Sequence, residues 1–106
     1  MYKIIDLKAE NIDSMTTEIM FEVAGARADG NEIIRLNINN DEKKLYDGAI
    51  KLLKNMKQKG LLQFFATEKS FSSGSTEASF LMNKYQDIIS LTNNEGGEVS
   101  FIYVRI

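Results

Sequence analysis

The segment from residue 99 to 106 constrains this chain more than any other. Val99, Phe101 and Tyr103 fall on one side of an extended backbone, and Ile102, Val104 and Ile106 on the other. A strand that is apolar on both faces needs cover on both. Residues 61–67 (LLQFFAT) have the same character, so they too read as a central strand. A chain of 106 residues, 43% hydrophobic, can bury a single core, and one domain spanning 1–106 is expected.

The remaining elements follow from periodicity. Residues 2–9 alternate, with Ile5, Leu7 and Ala9 on one face. Residues 15–24 (MTTEIMFEVA) place Met15, Thr17, Ile19, Phe21 and Val23 on one side, which favours a strand. A helix is the alternative, with Ile12, Met15, Ile19 and Val23 as its stripe. In the strand reading, residues 25–30 (GARADG) form a hairpin loop, and a third strand covers 32–38 with Ile34, Leu36 and Ile38 inward.

A helix is expected over 41–59. Asn39 serves as its N-cap with Glu42 at the third position, and Leu45, Ala49, Leu52, Leu53 and Met56 form its buried stripe before Gly60. Residues 70–75 read as a loop. A second helix starts at Ser75 or Thr76, with Ala78, Leu81, Tyr85 and Ile88 inward, flanked by Met82 and Ile89. Residues 92–97 form a turn cluster. The expected fold is α+β in the order β-β-β-α-β-α-β: a mixed sheet of about five strands with both helices on one face. The expected core includes Leu36, Leu52, Phe64, Leu81 and Phe101.

Chemistry is bounded by what is missing. There is no histidine, cysteine, tryptophan or proline. Imidazole bases, thiolate nucleophiles, zinc–thiolate sites and disulfides are excluded, and with them the serine triad. This points away from an enzyme, and no cofactor or metal is expected. The acids Asp6, Glu10, Glu18, Glu22, Asp29 and Glu32 leave open a weaker alternative, a divalent-metal-dependent enzyme built on carboxylates. Their spacing is also that of a solvated face.

Charge is uneven: net −3 over residues 1–40, +3 over 41–70 and −2 over 71–106. The positive middle holds the lysine-rich helix. Lys51, Lys54, Lys57 and Lys59, with Ser73 and Ser75 at the next helix start, are the candidate anion or nucleic-acid contacts. No arginine or aromatic side chain is interleaved to read or stack on bases. Arg27 sits in the small-residue loop as a candidate anchor.

No apolar run spans a membrane, and the start MYKIIDLKAENID has no signal-peptide pattern, so a cytoplasmic location is expected. Abundant lysine, asparagine and isoleucine fit an AT-rich bacterial or phage genome. In the helical alternative for 12–28, the segments IIDL and EIIRLNIN and the terminal GGEVSFIYVRI resemble parts of the small Smr-type nuclease domain. That family's His-Gly segments are replaced by Lys8-Ala9 and Asn39-Asn40, and residues 61–90 depart from its pattern, so no family is assigned.

The leading functional expectation is a non-enzymatic interaction or regulatory protein that self-associates as a homodimer. Its candidate interface is the two-faced last strand, through Val99, Phe101, Ile102, Tyr103, Val104 and Ile106. The alternative is a nucleic-acid-associated protein using the lysine helix.

Overall fold

The computed structural model describes residues 1–39, 41–87, 89 and 99–106. The elements are β1 (Tyr2–Asp6), α1 (Ile12–Ala28), β2 (Ile33–Asn39), α2 (Lys43–Gln58), β3 (Phe64–Ala66), α3 (Glu68–Ser72), α4 (Thr76–Lys84) and β4 (Val99–Arg105). They form a mixed α+β fold around a four-stranded sheet of order β1-β2-β4-β3. β1 and β2 run parallel, and β4 is antiparallel to both β2 and β3.

The expected strand over 15–24 is a helix. Met15, Ile19, Val23 and Ala26 form its buried stripe, whereas Phe21, part of the strand alternation, is 74% exposed. The Asn11 side chain caps the helix by accepting from the Ser14 N–H at 2.9 Å. The supposed hairpin at 25–30 is the end of this helix. Gly30 takes φ +77°, donating to the Arg27 carbonyl while Asn31 donates to that of Ala26. Gly60, φ +74°, ends α2 with the same pair of bonds, from Gly60 to Lys57 and from Leu61 to Met56. Only residues tolerant of a left-handed backbone close both helices in this way.

α2 begins at Lys43, later than expected, and Asn39 instead accepts from the Asp41 N–H at 3.1 Å. Leu45, Ala49, Leu53 and Met56 are buried, while Leu52 lies half-buried at the rim. Phe64 is also half-buried, and Leu36, Leu81 and Phe101 are in the core as expected. α1 and α2 meet closely at Gly48, where an added Cβ would stand 3.2 Å from Met15 Cε.

The two helical pairs lie on opposite faces of the sheet. On one, α1 and α2 pack on Ile34, Leu36, Ile38, Ile102 and Val104. On the other, α4 and its extension pack Leu81, Tyr85 and Ile89 on Ile33, Phe101 and Tyr103. The segment expected to be a loop at 70–75 contains the end of α3, whose Phe71 ring meets Tyr103 at 5.5 Å. Met82 is exposed rather than inward. Ile88, the turn cluster at 92–97 and the Val99 side chain lie outside the described residues.

The last strand is therefore central, between β2 and β3, while β3 is a three-residue edge strand and not the central one expected. Among the described residues no helix is long and apolar enough to cross a membrane.

The α4 layer is held to the sheet by Glu32. Its carboxylate receives Lys84 Nζ at 2.9 Å, the Tyr85 hydroxyl and the Arg105 guanidinium. Lys84 first, and Arg105 with it, hold the Glu32 carboxyl below the usual carboxylate range against the opposing effect of desolvation. A lowered folded pKa stabilises the fold above the unfolded value of about 4.3, and that stability is lost as pH falls through the folded value. Glu32→Gln should thus be less stable than wild type at pH 7, with the difference shrinking near pH 3. Paired urea titrations at the two pH values check this; a difference independent of pH would show that the charge of Glu32 is not what holds α4.

Candidate interaction surface

The acids do not converge. Glu18 accepts from the backbone N–H groups of Lys8 and Ala9 at 3.0–3.1 Å, bracing the turn after β1. Glu22 pairs with Lys3 at 3.5 Å, and Glu32 holds α4. Among the described residues no three groups of metal-binding type cluster closely enough to hold an ion.

The carboxyl ends of the parallel strands are where open α/β sheets usually bind ligands. Here two adjoining cavities of about 190 and 360 Å³ lie between the N-termini of α1 and α2. They are lined by Glu10, Asp13 and Glu42 as well as Lys8 and Lys44. Carboxylates at both helix starts oppose an anion, and Asn11 already occupies a first-turn N–H of α1. The cleft has the usual position of a ligand site without the usual chemistry.

A polar seam crosses the α4 side of the sheet. Arg35 is 1% exposed, and its guanidinium carbon lies 4.5 Å from the Phe101 ring centroid. Its Nε donates to Asn37 Oδ1 at 3.0 Å, and Asn37 Nδ2 donates to Asp6 Oδ1 at 2.8 Å. Nearby, the Tyr2 hydroxyl bonds the Asp87 carboxylate, which holds the phenol above its usual range. Hydrogen bonding of this kind, running from the buried Arg35 out to the β1 edge, helps to set the β1–β2 register and the seating of α4.

The sequence-predicted anion contacts are split by the sheet. Lys51, Lys54, Lys57 and Lys59 are exposed on or just after α2, on one side of the sheet. Ser73 and Ser75 lie at the α3–α4 turn, in the opposite layer. There Ser73 Oγ donates to the Ser70 carbonyl and Ser75 Oγ accepts from the Ala78 N–H. They form no joint site with the lysines. Arg27 donates to the Leu61 carbonyl and ties the end of α1 to the turn after α2.

The expected interface on the last strand is also corrected. Phe101, Ile102, Tyr103 and Val104 are at most 5% exposed within one chain, and Ile106 is half-buried against the α1–α2 core. The two-faced strand did require two layers of cover, but α1/α2 and α3/α4 supply both.

Among the described residues, exposed apolar side chains flank the β1 edge of the sheet. β1 is an edge strand whose Ile4 is 38% exposed. Beside it runs α1. Because Glu18 and Glu22 reach β1 and its following turn, helical geometry turns Gly25 toward the same side and aims Phe21 outward along it. Phe21 is the most exposed aromatic side chain among the large exposed hydrophobics. A Cβ on Gly25 would meet nothing within 4 Å, so no internal contact requires a glycine there, although glycine costs a helix interior about 0.5–1 kcal/mol relative to alanine. Nothing in the composition marks this surface; its signal in sequence was Phe21 standing outside the helical stripe.

No family model matches the chain, and no curated protein or solved structure does so either.

Proposed function

We propose that this chain is a cytoplasmic, non-enzymatic interaction module that docks through the open edge of β1 and the adjoining Phe21 side of α1. The observation that carries this reading is a strand edge with no partner among the described residues, with Ile4 exposed on its α4 face and Phe21 largely exposed on the helix over its other face. Aromatic side chains of this kind serve as anchors in protein interfaces. The dispersal of the carboxylates into structural roles supports the same reading over an enzyme.

The test is photocrosslinking in host cells, with benzoylphenylalanine replacing Phe21 in one variant and Lys54 in another. Protein adducts at position 21 and none at position 54 are expected. Nucleic-acid adducts at position 54 would favour the lysine-helix reading instead, and silence at position 21 would sink the docking surface.

A further inference from the structure

We infer that the occupant of this surface is a second copy of the same chain, paired β1 to β1 in antiparallel register about Ile4. The inference rests on the docking reading above and adds the partner and the register.

Backbone direction comes first. The Leu7 N–H donates to the Asn37 carbonyl, and the Met1 carbonyl accepts from the Glu32 N–H, so the odd-numbered residues of β1 turn their polar groups toward β2. Alternation then aims the N–H and C=O groups of Tyr2, Ile4 and Asp6 out of the sheet, where they have no backbone partner among the described residues. A two-fold axis at Ile4 brings Ile4 opposite Ile4 of the second copy and Tyr2 opposite Asp6 of the second copy. All of these positions have outward-facing groups, so each becomes a hydrogen-bonded pair that exchanges both N–H···O bonds. The edge is complementary to itself in this register, and side-chain faces are preserved.

Side chains agree with the backbone. The exposed Ile4 meets its own copy as an apolar cross-strand pair. The aspartates are separated by the length of the paired segment, so like charges are not opposed. Lys3 is the charged residue that usually protects such an edge. Here it is already bonded to Glu22, which offsets its charge at the junction. Phe21 and Gly25 flank the same junction, where the second α1 approaches.

The experiment uses the full chain in sedimentation equilibrium. Wild type should show twice the 12.0 kDa chain mass, with a dissociation constant of about 1–100 μM, typical of modest interfaces. Ile4→Lys and Ile4→Glu should each be monomeric, since residue 4 faces itself, and an equimolar mixture should recover the dimer mass. Circular dichroism of each variant alone should match wild type. A dimer that persists in Ile4→Lys, or a mixture that stays monomeric, would overturn the register. A monomeric wild type at about 100 μM would overturn self-pairing. In that case crosslinks from position 21 to a different protein would leave the docking reading standing, whereas their absence would remove both.

Discussion

Leu53→Ala should destabilise the fold by about 2–5 kcal/mol, and Leu52→Ala by distinctly less. Leu53 is 0% exposed in the layer between α1/α2 and the sheet, where it joins Met15, Ile19 and Leu36. Close-packed surroundings cannot collapse into the space it leaves, so the lost transfer energy and the cavity both count. Leu52 lies at the rim, where solvent fills the space at little cost. The two leucines are neighbours with equal helix propensity, so the comparison isolates burial. Urea denaturation of both variants measures it. Equal losses would mean that α2 is rotated about its axis from the position described.

Arg35→Ala should cost about 1–3 kcal/mol, the scale of leaving a buried acceptor without its donor. The change abolishes the guanidinium contact with Phe101 and leaves Asn37 Oδ1 without its donor beneath α4. Arg35→Met should cost less, because an unbranched thioether refills the volume and brings no charge to bury. If alanine and methionine were equally tolerated, at under about 1 kcal/mol, the seam would have to be solvated rather than sealed. Thermal melts of the two variants separate these outcomes.

Much of the architecture was legible. The alternation of Ile34, Leu36 and Ile38, the stripe of α2 and the two-faced last strand all reported their environment, because burial selects side chains with the period of the backbone. The α1 segment was not legible in the same way. Met15, Ile19 and Val23 satisfy both a period of two and a stripe of four, and Thr17 and Phe21 filled the gaps of the strand pattern by chance. Burial separates the two readings: Met15, Ile19, Val23 and Ala26 are inside, while Phe21 is outside. The misread segment also hid the exposure of Phe21, which on a strand would have been assigned to the core.

Residue types and short-range periodicity account for the chemistry that is excluded, the mixed α+β class, the position of α2 and the need to cover the last strand twice. Those properties are local: they depend on residue type and on the period of a short segment. Long-range packing makes α1 a helix, places β4 at the centre and β3 at the margin, and sets the α3/α4 layer against the second face of β4. It also sets β1 at the edge of the sheet, on the flank beside α1. These depend on contacts between segments far apart in the chain, such as Phe71 with Tyr103 or Lys3 with Glu22, which no single segment encodes.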